Sequence, residues 1–182
     1  MSSAGISLIN PHLVFEKISL SEGMRVADFG CGRTGHFVFS ASRVVGEKGI
    51  VYAVDIMKDV LESLKSRLRS EGYGNVETVW SDIERPGKTA IAPGSLDVCF
   101  IVNVLCQVHD RSAVLAEASR LLKPGGLLAI TEWARPLGPL GPGEGKLLTP
   151  EALSALGLDA QLERVSSFEL GDYHYCLILS RK

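Results

Sequence analysis

The 182-residue sequence has almost no net charge, no long apolar run and no internal repeat. A formal net charge of −2 provides no general attraction to nucleic acids or to anionic membranes. No apolar stretch is long enough to cross a bilayer, and residues 1–6 lack the basic start and apolar core of a signal peptide. We therefore expect no membrane-spanning segment, no secretion signal and no strong nucleic-acid interaction.

Cysteine is also scarce, with four residues and no C-x-x-C pair. Without paired spacing, the thiols at Cys31 and Cys106 do not predict a metal or arsenic site. Cys99 and Cys176 fall in predicted strands, where a free cysteine behaves as a small hydrophobic residue. We expect a protein of the reducing cytoplasm that binds no metal.

Apolar residues make up 46% of the chain and charged residues 22%, which is typical of a globular domain with a real core. We therefore expect a single domain over residues 1–182. Residues 1–24 are predicted to form an N-terminal helix and lead-in. Residues 136–148 are predicted to form a loop, because residues 136–145 contain three prolines and four glycines.

Short apolar runs alternate with amphipathic segments along the chain, a pattern that is typical of βα units. The apolar runs predict strands at 26–29, 50–55, 76–80, 96–102 and 127–132. The amphipathic segments predict helices at 11–20, 36–45, 57–69, 111–122 and 150–157, and a final hairpin is predicted from strands 162–170 and 173–180. This order predicts an α/β fold with an open, doubly wound, mostly parallel sheet and helices on both faces.

The first strand leads into a glycine-rich turn with the sequence Gly30-Cys-Gly-Arg-Thr-Gly35, and then into a helix. Glycines here expose backbone N–H groups at the positive end of the helix dipole and let a ligand approach without meeting a Cβ atom. The G-x-G-x-x-G spacing indicates a nucleotide-cofactor site, although a plain βα turn can have the same spacing.

Polar residues follow the predicted strands at the edge where a doubly wound sheet binds its ligand. Asp55 follows the glycine turn at the spacing of the dinucleotide fingerprint, where a carboxylate can bind ribose hydroxyls or cap the next helix. Asp82 and the adjacent Ile83 can bind adenine or close a turn. Asn103 can bind a polar ligand group or serve as a turn residue. The convergence of these residues predicts a cofactor that contains adenosine.

Taken together, these motifs resemble the class I S-adenosylmethionine-dependent methyltransferases, in particular the small family related to the quinone-biosynthesis methyltransferases. The resemblance rests on Asp28-Phe-Gly-Cys-Gly32, Val54-Asp55, Ser81-Asp-Ile83, Leu96-Asp97, Asn103-Val-Leu105 and Leu122-Lys-Pro-Gly-Gly126. An acidic residue two positions before the first glycine and a K-P-G-G turn are more typical of methyltransferases than of nicotinamide-binding domains. The glycine turn departs from the usual G-x-G-x-G pattern by one additional residue.

The resemblance implies a seven-stranded, Rossmann-like sheet with an antiparallel last strand, and S-adenosyl-L-methionine as the cofactor. In that arrangement the glycine turn holds the methionine and ribose, Asp28 lies near the amino group and Asp55 binds the ribose. Asp82 and Ile83 hold adenine, and Asn103 lies beside the cofactor backbone. The implied cofactor-binding set is Asp28, Gly30, Cys31, Gly32, Gly35, Asp55, Ile56, Ser81, Asp82, Ile83 and Asn103.

Methyl transfer from a sulfonium is an in-line displacement, in which the protein mainly aligns the acceptor and excludes water. A base is needed only if the acceptor arrives protonated, and His109 and His174 are weak candidates for it. The predicted function is methyl transfer to a small-molecule acceptor that the sequence does not identify. A nicotinamide-dependent oxidoreductase, a non-catalytic cofactor-binding protein and a homodimer all stay open.

Overall fold

The computed structural model describes residues 9–138, 141–143 and 145–182 of the chain. Its strands are β1 (Arg25–Phe29), β2 (Ile50–Asp55), β3 (Val76–Trp80), β4 (Leu96–Val102), β5 (Leu122–Trp133), β6 (Leu162–Leu170) and β7 (His174–Arg181). Its helices are α1 (Pro11–Lys17), α2 (His36–Val45), α3 (Lys58–Ser70), α4 (Arg111–Leu121) and α5 (Pro150–Asp159).

The strands form one seven-stranded sheet in the order β3-β2-β1-β4-β5-β7-β6. Strands β1 to β5 are parallel to their neighbours in this group, whereas β7 runs antiparallel to both β5 and β6. The predicted doubly wound sheet with an antiparallel last strand is therefore confirmed. From β1 the sheet grows to β2 and β3 on one side and to β4 and β5 on the other, so the ligand edge lies beyond the carboxyl ends of these central strands.

Helices cover both faces of the sheet and divide its apolar residues into two cores. On one face, α1, α2 and α3 pack over a core in which the rings of Phe15, Phe37 and Phe100 lie 5.4–5.8 Å apart. On the other face, α4 and α5 pack over a core that includes Leu115 and Leu153. Burial on both faces explains why the central strands are almost continuously apolar.

The start of β5 differs from the prediction, which extended α4 to Leu122 and began the strand at residue 127. Leu122 instead pairs with Leu96, and the register then shifts so that Leu127 is opposite Val98. The K-P-G-G segment bulges out between these pairs, where Lys123 Nζ lies 2.6 Å from Asp97 Oδ1. The proline and glycines therefore interrupt the register without separating the helix from the strand.

Two predicted helix ends were also wrong. Helix α1 ends at Lys17 rather than at residue 20. Helix α5 continues through Gly157 to Asp159. Gly157 lies inside that helix, at a point where the helix packs closely on β7. A Cβ at this position would be only 3.1 Å from Leu179 Cδ1.

Parts of two predicted segments lie outside the described residues, namely residues 1–8 of the N-terminal lead-in and residues 139, 140 and 144 of the proline- and glycine-rich loop. Among the described helices, none combines the length and the apolar character that are needed to cross a bilayer.

Candidate functional site

The glycine turn lies beyond β1 and is fastened to β2 through its backbone. The N–H groups of Gly30 and Cys31 both donate to Val54 O, at 2.8 and 3.0 Å. Gly30, Gly32 and Gly35 have φ values of +73°, +63° and +57°, a region that favours glycine. Gly35 occupies the N-cap of α2 without a side-chain cap, so the turn leaves the first N–H groups of that helix free of a capping side chain.

The additional residue of the turn is accommodated on the side that faces α3. Arg33 forms an ion pair with Asp59 at 2.6 Å, and Arg67 NH1 donates to Thr34 O at 3.0 Å. Both contacts attach the Arg33–Thr34 part of the loop to α3. The Gly30–Gly32 part is held separately, by its hydrogen bonds to Val54 O and Asp55 Oδ2.

Asp55 is buried at the end of β2 and connects two segments of the site. Its Oδ2 accepts a hydrogen bond from the Gly32 N–H at 3.0 Å, and its Oδ1 accepts one from the Met57 N–H at 2.9 Å. The carboxylate thus holds the glycine turn and the start of α3 together. Since each carboxylate oxygen can accept two hydrogen bonds, this role is compatible with binding a ribose.

Asp28 is the second buried carboxyl group of the site. It lies in β1 between Ala53 of β2 and Phe100 of β4. Burial raises the pKa of Asp28 to about 7, and the nearby charge of Asp55 adds to the effect. Within the described residues, no hydrogen bond to its carboxyl group contributes to this shift. Asp28 is therefore a buried acid that would gain from a cationic partner.

The segment after β3 is ordered by polar contacts. Asp82 Oδ1 accepts from the Glu84 N–H at 3.1 Å, and its Oδ2 lies 3.1 Å from Arg85 Nε. Ser81 Oγ lies 2.9 Å from Thr89 Oγ1, and Ile83 is buried. Asp82 thus closes the turn, which was one of the two roles that the sequence allowed.

Glu117 of α4 fastens the far end of the same loop. Its carboxylate accepts from the N–H groups of Gly87 and Thr89 at 2.7 and 3.0 Å, and pairs with Arg120 at 2.7 Å. Burial tends to raise the pKa of Glu117, but the hydrogen bonds from Arg120 and the two backbone groups outweigh it and lower the pKa to about 2. The loop that carries Ile83 is therefore anchored at both ends.

Asn103 turns the chain sharply at the end of β4. Its φ of +56° is left-handed, its N–H donates to Thr131 O at 2.8 Å, and its Nδ2 lies 3.2 Å from His174 Nε2. His174 is buried against Trp133, with ring centroids 4.2 Å apart. Burial lowers the pKa of His174 to about 4, so its imidazole is neutral at pH 7.

His109, the other candidate base, lies on the surface just before α4. Its backbone N–H and that of Asp110 donate to Glu84 Oε2 at 2.9 and 2.7 Å. No hydrogen bond of the described residues joins its imidazole to the strand ends. The structure thus places His174, but not His109, beside another residue of the predicted site.

Glu132 is a further buried acid, at the end of β5. Burial raises its pKa to about 7, and its Oε1 accepts from the Cys106 N–H at 3.3 Å. The neighbouring Val104 packs so closely on the glycine turn that a Cβ at Gly30 would lie 2.5 Å from Val104 Cγ2. Glu132 therefore holds the segment after β4, and this segment supports the glycine turn through Val104.

Comparison with known proteins identifies the family. A protein-family model described as Methyltransferase domain matches residues 20–162. A ubiquinone/menaquinone biosynthesis C-methyltransferase UbiE from Shewanella piezotolerans is 34% identical over 135 residues, which cover 74% of this chain and 52% of the relative. This chain belongs to the class I S-adenosylmethionine-dependent methyltransferases. The resemblance in the sequence is thereby confirmed, and S-adenosylmethionine is the cofactor of the family.

Solved structures agree on the fold of this methyltransferase. A SAM-dependent methyltransferase from Aquifex aeolicus has a TM-score of 0.87 at 24% identity, with 100% of this chain and 94% of that chain covered. The [4+2]-cyclase SpnF has a TM-score of 0.78 at 16% identity, with 94% of this chain and 80% of that chain covered. Because a cyclase shares the fold, the fold alone does not specify methyl transfer. The chain also spans about half the length of the curated relatives that it matches.

Sequence reasoning missed several residues that shape the candidate site. Val104 supports Gly30, Glu117 anchors the loop after β3, and Trp80 donates its indole N–H to Ile56 O at 2.9 Å. Of these, Trp80 had a usable signal, because it is the last residue of the strand that was predicted over residues 76–80. The others depend on contacts between segments that are far apart in the chain, and no motif in the sequence predicts such contacts.

Proposed function

We propose that this chain transfers the methyl group of S-adenosylmethionine to a small-molecule acceptor by in-line displacement. The observation that carries the proposal is the buried carboxyl group of Asp28 beside the glycine turn, to which none of the described residues donates a hydrogen bond. S-adenosylmethionine carries an ammonium and a sulfonium, and a cationic group near Asp28 would favour the charged carboxylate. A pyrophosphate at the same turn would face the carboxyl group of Asp28, which disfavours a nicotinamide dinucleotide.

We assign the cofactor contacts according to the positions of the strand ends. Asp28 faces the amino group, and the Gly30–Gly32 backbone receives the methionine and ribose. The Asp55 carboxylate accepts hydrogen bonds from the ribose hydroxyls in addition to those from its two backbone donors. Ile56 and Ile83 enclose the adenine. The remaining residues of the cofactor-binding set contribute backbone groups or turn contacts. They are Cys31, Gly35, Ser81, Asp82 and Asn103.

We propose that no strong base takes part in the transfer. With a pKa of about 4, His174 is a weak base and acts as a neutral polar neighbour of Asn103. Alignment of the acceptor and exclusion of water then provide the rate enhancement. The methyl acceptor of the relatives is not assigned to this chain, because the chain spans about half their length. A cytoplasmic location and a homodimer stay predictions.

Calorimetric titration with S-adenosylhomocysteine and with NAD⁺ tests the proposal. We expect micromolar binding of S-adenosylhomocysteine and no binding of NAD⁺, followed by formation of S-adenosylhomocysteine from S-adenosylmethionine when a suitable small molecule is added. Binding of NAD⁺ alone would support the oxidoreductase. Binding of S-adenosylhomocysteine without turnover across a broad acceptor panel would support the non-catalytic alternative.

A further inference from the structure

Trp80 is an exposed aromatic residue that is nevertheless held in a defined orientation. Its side chain is 55% exposed, so burial in a core does not account for it. Its Nε1–H donates to Ile56 O at 2.9 Å, and Lys58 Nζ lies 5.3 Å from the ring centroid. The first contact fixes one edge of the indole and the second covers its face.

The register of the sheet places Trp80 beside the ribose-binding segment. Asp55 and Trp80 are partners in the β2–β3 ladder, so the indole reaches across to the residue that follows Asp55. On the opposite side, Asp55 accepts from Gly32. The short segment from Asp55 to Met57 is therefore attached to the glycine turn on one side and to Trp80 on the other.

Ile56 is the middle residue of this segment and lies outside both apolar cores of the described residues. Its side chain is 53% exposed at the ligand edge, while its carbonyl is occupied by the Trp80 indole. A flexible Ile56 would have to be ordered when a ligand binds, and this ordering costs binding free energy. A hydrogen bond that already fixes its backbone removes part of that cost.

We propose that Trp80 is a positioning residue, which fixes the Ile56 carbonyl and so holds the Asp55–Met57 segment in the shape that receives the adenosine half of the cofactor. The inference rests on the proposed function, because it assumes that adenosine binds at this edge. Trp80 acts through Ile56 and not through the reacting atoms.

The test compares Trp80→Phe with Lys58→Met in the full chain. Phenylalanine keeps an aromatic ring but has no N–H donor, whereas methionine removes the cation over the ring and leaves the indole N–H. Calorimetry measures the affinity of each variant for S-adenosylhomocysteine and for 5′-methylthioadenosine, and thermal unfolding checks that both variants fold. For Trp80→Phe we expect roughly three- to tenfold weaker binding of both ligands, the usual effect of one hydrogen bond. For Lys58→Met we expect a change of less than about twofold.

The two ligands separate an effect on the adenosine half of the site from an effect on the methionine half, while thermal unfolding detects a general loss of structure. Since 5′-methylthioadenosine lacks the amino-acid group, an effect on the adenosine half weakens both ligands by similar factors. Unchanged affinity in Trp80→Phe, or an equal loss in Lys58→Met, would overturn the inference. If the unmodified chain binds no S-adenosylhomocysteine, the proposed function itself fails, and this outcome is distinguishable from the others.

Discussion

Gly30→Ala is expected to destabilise the folded chain by about 2–5 kcal/mol and to weaken S-adenosylhomocysteine binding at least tenfold. Gly30 has a φ of +73°, and a left-handed alanine costs roughly 1–2 kcal/mol. Its Cβ would also lie 2.5 Å from Val104 Cγ2, and such overlap costs roughly 1–3 kcal/mol. Relief of the overlap would shift either the glycine turn or the turn after β4, and both border the cofactor site.

Urea unfolding measures this loss, and Gly72→Ala is the matched control. Gly72 has a similar φ of +76°, but nothing lies within 4 Å of its added Cβ. The control should therefore lose only the backbone part, roughly 1–2 kcal/mol, with its ligand affinity unchanged. An equal loss of stability in the two variants would show that contact between Gly30 and Val104 is unimportant.

Asp28→Asn is expected to stabilise the ligand-free chain and to weaken the binding of S-adenosylhomocysteine. The pKa of Asp28 is about 7 in the folded chain and 3.8 as its ordinary value. A raised carboxyl pKa means that the folded state holds its proton more tightly, so stability falls as pH rises from about 4 to about 7. The asparagine variant lacks this loss. It should be more stable than the parent by about 1–3 kcal/mol at pH 8, after allowance for the buried amide.

The opposite signs of the two effects distinguish a ligand-binding acid from a structural one. Urea unfolding at pH 5 and pH 8 measures the stability, and calorimetry measures the affinity. Glu132→Gln is the control, because its pKa is also raised to about 7 by burial and it should show the same sign of stabilisation. We expect its affinity to change less than that of Asp28→Asn. Should Asp28→Asn keep full affinity, Asp28 would not be the partner of the amino group.

The order of strands and the position of the ligand edge could be predicted because they depend on local patterns. Continuous apolar runs identify buried parallel strands. The closely spaced glycines identify the turn after β1, because glycine readily adopts the positive φ that such a turn needs. Asp55 follows a strand directly, so its place at the edge follows from the chain order. These signals lie within a few residues of the feature that they predict.

The contacts that give the site its shape could not be predicted in the same way. Asn103 and His174 meet from different strands, with β5 between β4 and β7 in the sheet. Asparagine tolerates the positive φ that Asn103 adopts, but its contact with His174 and the burial of that imidazole depend on the packing of the strands. The start of β5 was wrong for a related reason, since Leu122 joins the sheet only because Leu96 is there to pair with it.

The most direct test of the account is the affinity for S-adenosylhomocysteine of the unmodified chain, Asp55→Ala and Asp59→Ala. Asp55 is buried and bound to Gly32 and Met57, whereas Asp59 is exposed and forms a surface ion pair with Arg33. We expect micromolar binding by the unmodified chain, a loss of about 1–3 kcal/mol in Asp55→Ala and almost none in Asp59→Ala. Equal affinity in all three proteins, or no binding by the unmodified chain, would contradict the claim that these strand ends hold the cofactor.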